Sequence, residues 1–142
     1  MKIYADTSAL IAWFHPSDNF TQAVTDWCRE RSPDFIWNPL LRIELRHNLR
    51  RLSGKYAATA WHAYRAGETS RKLRLEVHRL SDLLERGDEL SARHAQSCRA
   101  GTWDFVHVAA AQQVRAEMFI TCDAAQADLA RVAGLPRVHL FK

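Results

Sequence analysis

Lys2-Ile3-Tyr4-Ala5-Asp6-Thr7-Ser8-Ala9-Leu10 is a short apolar run that stops at an acid. Two hydroxyl residues follow the acid, and then a second apolar stretch, Ala9 to Phe14. Residues 2 to 5 read as a buried strand and the second stretch as the start of a helix. A strand passing into a helix is the unit of an open parallel sheet, where ligands bind outside the carboxyl ends of the strands. Asp6 occupies that position. It is a candidate metal ligand or catalytic group, with a turn or helix-cap residue as the plainer reading.

The rest of the chain repeats the pattern. Asp18 or Asn19 can cap a helix running to about Arg31. Phe35-Ile36-Trp37 is a short strand, and Asn38-Pro39 supplies an N-cap followed by proline at the first helical position. Leu41, Leu45, Leu49 and Leu52 form an apolar stripe down that helix. A further helix is expected from about Lys55 to Gly67, a weakly alternating strand over Leu75 to Leu80, and a helix from Ser81 to about Ala95. Thr102 can cap a helix holding Phe105, Val106, Ala109, Ala110 and Val114. Met118 to Thr121 is a strand, Ala124 to Ala133 a helix, and Arg137 to Phe141 a last strand. Strands alternating with helices predict an α/β sandwich with a central, mostly parallel sheet.

Composition bounds the function. The 142 residues are 47% hydrophobic and 25% charged, the proportions of a single soluble domain with one sizeable core, here residues 1–142. The apolar runs are too short to span a bilayer. Asp6 also interrupts the stretch where a signal peptide needs its apolar region, so the chain reads as cytoplasmic. Cys28, Cys98 and Cys122 are far apart with no Cys-x-x-Cys, which excludes a disulfide framework and zinc-type spacing. The net charge is +4. Arg42, Arg46, Arg50, Arg51 and Lys55 crowd one segment, and Arg65, Arg71, Lys72 and Arg74 the next. Such patches suit phosphate backbones, the alternative being a solvated helix face.

Right-handed crossovers bring strand ends to one edge of the sheet. Asp123 sits just past the strand at 118–121, Asp104 in the first turn of its helix, and Glu44 in the second turn of a helix entered directly from a strand. All four acids can therefore converge. Taken singly, each has a structural reading: Asp104 and Asp123 as helix-start residues, and Glu44 as a solvated acid paired with His47 or Asn48. Together, clustered carboxylates repel unless a cation compensates. Mg²⁺ and Mn²⁺ prefer such hard oxygen ligands. Thr7, Ser8 and Thr121 can hold the carboxylates or metal-bound waters by hydrogen bonds.

Tyr4-Ala5-Asp6-Thr7-Ser8-Ala9-Leu10 resembles the opening motif of PIN domains. Leu41-Arg42-Ile43-Glu44-Leu45 resembles their second acid motif, Trp103-Asp104-Phe105-Val106-His107-Val108-Ala109-Ala110-Ala111 the third, and Phe119-Ile120-Thr121-Cys122-Asp123 the fourth. Order, spacing and length are similar to those of VapC-type toxins of bacterial type II toxin–antitoxin systems. The resemblance implies a PIN-like three-layer α/β/α sandwich and a metal-dependent endoribonuclease acting on structured RNA such as tRNA or rRNA. It implies that Asp6, Glu44, Asp104 and Asp123 are catalytic and build an Mg²⁺ (or Mn²⁺) site supported by Thr7, Ser8 and Thr121. It also implies a homodimer and a cognate VapB-like antitoxin. Cys122 stands where a larger or aromatic residue is common. His107 lies three residues after Asp104 on the same helix face, placed either to orient that carboxylate or simply to pack.

Four acids repel RNA, so basic residues elsewhere must hold its phosphates. Arg46, Arg50 and Arg51 follow Glu44 within about two helical turns and are the expected contacts. Trp13, Trp37, Trp61 and Trp103 could stack on unpaired bases, though core packing suits most of them better. The helices at 39–52 and 55–67 could instead clamp an antitoxin helix. Two other readings remain: a catalytically silent PIN-fold module that binds RNA or protein, and a phosphotransferase using Asp6 as nucleophile. The second requires another acid two residues on, where this chain has Ser8.

Overall fold

A computed structural model describes residues 1–142. Five strands form one sheet: β1 (Ile3–Ala5), β2 (Phe35–Trp37), β3 (Leu73–Leu75), β4 (Met118–Thr121) and β5 (Val138–Leu140). Their order is β3-β2-β1-β4-β5 and every pairing is parallel. The sheet is thus wholly parallel, where the sequence predicts a mostly parallel one.

Seven helices cover it: α1 (Thr7–Phe14), α2 (Thr21–Arg31), α3 (Pro39–Arg51), α4 (Ala57–Thr69), α5 (Leu80–His94), α6 (Thr102–Gln113) and α7 (Ala124–Val132). Helix α1 packs with α2, α3 and α4, whereas α6 packs with α5 and α7. The strand order explains this division. From β1 the chain moves outward through β2 to β3, then returns across to β4 and β5. Right-handed crossovers in opposite directions put their helices on opposite faces. The result is the α/β/α sandwich.

The core is the sheet and the helix faces pressed on it. Tyr4, Phe35, Ile36, Trp37, Leu41, Leu45, Tyr64, Phe119 and Ile120 are all buried in one cluster. Strands β1 and β2 are buried throughout, and β4 is buried past its first residue, as central parallel strands must be. The leucine stripe of α3 holds: Leu41, Leu45 and Leu49 are buried. Burial raises the thiols of Cys28 and Cys122 to about 12, with Asp6 adding to the effect at Cys122, so neither is a reactive thiolate.

Several boundaries move. Strand β3 lies at Leu73–Leu75, not over 75–80, because Leu73 and Leu75 pair with Phe35 and Trp37. Beyond that register no sheet remains to bury Val77, which is 72% exposed. Asp18 does not cap α2; its carboxylate accepts from Phe20 N in the preceding turn. Thr102 is the first residue of α6 rather than its cap, which is Gly101. Asn38 caps α3 as expected, accepting from Leu41 N at 2.9 Å.

A partly buried ion cluster clasps α3 to α4. Glu68 accepts from Arg42 Nε at 2.8 Å and from the Tyr64 hydroxyl, with Arg46 and Arg65 beside it. Burial pushes its carboxyl up, but the Arg42 and Tyr64 hydrogen bonds outweigh this and leave it below its usual pKa. Glu68→Ala strands the buried Tyr64 hydroxyl and two guanidinium groups. It is expected to cost about 1–3 kcal/mol, read as a lower urea midpoint with an unchanged slope.

Candidate active site

The chain turns from one side of the sheet to the other between β1 and β4, which are adjacent but lead to opposite edges. A crevice outside the carboxyl ends of two such strands is the binding position of an open α/β sheet. Asp6 ends β1 and Asp123 follows the end of β4. A cleft of about 240 Å³ opens there, lined by Asp6, Thr7, Ser8, Ile11, Glu44, Asn48, Asp104, His107, Asp123 and Gln126. All four acids predicted from sequence face it.

Asp6 is 1% exposed. Its side chain caps α1 through Ala9 N at 2.9 Å, so the cap reading and the site reading are both met. Ser8 Oγ donates to its two oxygens at 2.7 and 2.9 Å, and Thr121 Oγ1 donates at 2.6 Å. Those hydroxyls are themselves held from the β4 side. Cys122 N donates to Ser8 Oγ at 3.0 Å and Asp123 N to Thr121 Oγ1 at 2.9 Å. The loops after β1 and β4 are thereby stitched together around one carboxylate. Desolvation pushes the pKa of Asp6 up despite these hydrogen bonds.

Asp123 caps α7 through Gln126 N at 3.0 Å and remains exposed. Asp104 accepts from Gly101 N at 2.7 Å. Its pKa is raised, first by burial and then by repulsion from Asp123 and Glu44, as expected of acids sharing a cleft. Glu44 is bound differently. His107 Nε2 lies 2.6 Å from its Oε2. Burial would raise Glu44, but the hydrogen bond with His107 holds it below its usual range. His107 therefore serves Glu44 and not Asp104, the partner its helix spacing suggested. Tyr4, buried below, meets its other nitrogen, Nδ1, at 3.0 Å. Neither His47 nor Asn48 pairs with the Glu44 carboxylate; Asn48 donates to its backbone carbonyl.

Residues 3–133 match the PIN domain family. This chain belongs to that family. Among solved structures, Mycobacterium tuberculosis VapC20, a sarcin-ricin loop cleaving toxin, aligns with a TM-score of 0.72 at 21% identity, covering 94% of this chain and 96% of that one. FitAcB from Neisseria gonorrhoeae aligns at 0.68 with 16% identity, covering 99% and 96%. A toxin–antitoxin complex from Klebsiella pneumoniae aligns at 0.63 with 18% identity, covering 98% and 96%. At these identities the likeness is one of fold. No curated protein matches the sequence.

In this PIN domain no three carboxylate, imidazole or thiol groups stand close enough to grip one ion together. The cleft holds two buried polar atoms without hydrogen-bond partners, Thr7 Oγ1 and Gln126 Nε2. Hard oxygens around a space with unpartnered polar groups fit a hydrated divalent ion. Gln126 and Asn48 were not anticipated. A signal existed for Gln126, which stands three residues after Asp123 in the same first helical turn.

The arginines divide. With ~100° per helical residue, Arg51 lies within roughly 20° of Glu44 around α3, whereas Arg46 and Arg50 lie about 160° and 120° away. The contacts agree. Arg46 donates to the Tyr64 hydroxyl at 2.6 Å and pairs with Glu68. Arg50 lies over the Trp61 ring at 5.2 Å. Arg51 is exposed. Of the tryptophans, Trp37 is buried, Trp13 packs on Phe14 and Phe35, and Trp61 packs on Tyr64. Trp103, 53% exposed, is the one open to solvent beside Asp104.

The raised acids carry a consequence for stability. A folded pKa above the unfolded value means that the native state binds the proton more tightly. For Asp6 and Asp104 that contribution is full below about pH 3.9 and is lost as pH rises through their folded values. Glu44 has the opposite sign, and its contribution is lost as pH falls through its lowered value. A divalent ion bound in the cleft would offset the penalty at Asp6 and Asp104. Mg²⁺ should therefore raise the melting temperature at pH 7.5, with the increment shrinking towards pH 4. Scanning fluorimetry with Mg²⁺ and with EDTA across that range measures it, and an increment independent of pH would count against the carboxylates.

Proposed function

We propose that this PIN domain is a metal-dependent endoribonuclease toxin of the VapC type, hydrolysing phosphodiester bonds of structured cellular RNA such as tRNA or rRNA. In the same reading it is a homodimer and is held inactive by a VapB-like antitoxin. The observation that carries this is the meeting of Asp6, Glu44, Asp104 and Asp123 in one cleft at the switch point of the sheet. The fold shared with a sarcin-ricin loop cleaving toxin and with a toxin–antitoxin complex supports it.

Asp6, with the acids facing it, would hold Mg²⁺ or Mn²⁺. The ion would polarise the phosphodiester, activate a water and steady the leaving oxygen. Ser8 and Thr121 fix the rotamer of Asp6, so the carboxylate does not need to reorganise when an ion enters. His107 does the same for Glu44. Arg51 supplies positive charge on the cleft side of α3, where phosphates must approach.

Antitoxin-free protein incubated with total cellular RNA and Mg²⁺ or Mn²⁺ should give discrete products that EDTA suppresses. Mapping the cut ends identifies the substrate. Intact RNA with both metals would remove the enzymatic reading and leave a binding module.

A further inference from the structure

The Tyr4–His107–Glu44 chain has a direction, and the chemistry of its far end sets it. A carboxylate can only accept, so the ring nitrogen Nε2, 2.6 Å from Glu44 Oε2, is the donor. In a neutral imidazole the other nitrogen is then the acceptor. The Tyr4 hydroxyl, 3.0 Å from Nδ1, is placed to donate to it.

We propose that Tyr4 is a positioning residue for Glu44, acting through His107: it fixes the imidazole as its Nε2–H tautomer and in the plane that aims this donor at the cleft carboxylate. The packing is built for the task. Tyr4 is fully buried, stacks on Phe119 at 5.6 Å and meets the His107 ring edge-on at 6.1 Å. His107 itself is 5% exposed. Tyr4 lies in β1, His107 in α6 and Glu44 in the second turn of α3, so the chain ties α3 to the strand end carrying Asp6. A phenylalanine at position 4 would fill the same space without ordering the imidazole.

The inference rests on the reading of Glu44 as part of a metal site, but its first test needs neither metal nor RNA. Nitrogen–proton correlation spectroscopy of metal-free wild-type protein at neutral pH distinguishes the two tautomers of His107. The Nε2–H form is expected, and a predominantly Nδ1–H ring overturns the proposal. The second test uses Mn²⁺ alone as probe. Tyr4→Phe, which keeps the ring and its stack, should weaken Mn²⁺ binding by roughly tenfold, the scale of a lost outer partner. Added to His107→Phe, the same change should alter the affinity by less than about twofold, because the connection is already cut. An unchanged affinity in Tyr4→Phe, or an equal loss in both backgrounds, contradicts the relay. Failure of the wild type to bind Mn²⁺ would remove the metal reading of the cleft, and the tautomer would still decide this one.

Discussion

Asp6→Asn is expected to lower metal-dependent RNA cleavage by roughly 10³-fold or more while the protein stays folded. The two halves of that expectation have separate causes. Asparagine is as good a helix cap as aspartate, and its oxygen can still accept from Ala9 N. Its amide also sits where burial disfavours a charge, since desolvation raises the pKa of Asp6. Stability should therefore change by no more than about 1 kcal/mol. The function depends on the charge that is removed. Asp6 is the acid on which the loops after both central strands converge through Ser8 and Thr121, and no neighbouring side chain can replace its two oxygens there. Cleavage assays on purified protein, with circular dichroism on the same sample, separate the two halves. A variant that retains cleavage would mean that Asp6 is only a cap.

Leu45→Ala is expected to cost about 2–5 kcal/mol, as other large-to-small changes in tight cores do. Leu45 is fully buried on the leucine stripe that presses α3 onto the core. It is also the neighbour of Glu44, so the cavity opens beneath the turn that presents that carboxylate. Against a total stability of about 5–15 kcal/mol the loss is large. For a domain of this size it corresponds to a fall in melting temperature of roughly 6–15 °C. Cleavage measured well below the midpoint should fall with it, because His107 and Glu44 no longer share a fixed geometry. Exposed Ile43, also beside Glu44, is the control: Ile43→Ala should shift the midpoint little.

The strands and the acids at their ends were legible because each depends on local order. A buried strand is a continuous apolar run; Asp6 directly follows one, and Asp123 stands two residues past another. Glu44 was harder, since nothing in its own segment separates a cleft acid from a solvated one. Only the fold, which brings α3 and α6 to the same edge of the sheet from opposite faces, carries His107 to it, 63 positions away in sequence. Helix spacing pairs His107 with Asp104 for the same reason that it fails: spacing reports a shared face, not the direction of the side chain. Gln126 and Asn48 became visible only once the helices were docked. The arginines show the reverse error. Their proximity to Glu44 in sequence hides a rotation of nearly half a turn, which puts Arg46 against Glu68 and Tyr64. Strand β3 was misplaced because its limits are set by the register with β2, a non-local fact.

The central claim is that the acidic cleft is a divalent-metal site centred on Asp6. Calorimetric titration of Mn²⁺ into the wild-type protein and into Asp6→Asn, both free of antitoxin, tests it most directly. A saturable isotherm in the wild type that disappears in the variant is the predicted result. No saturable binding to the wild type, or the same isotherm in both proteins, would contradict it.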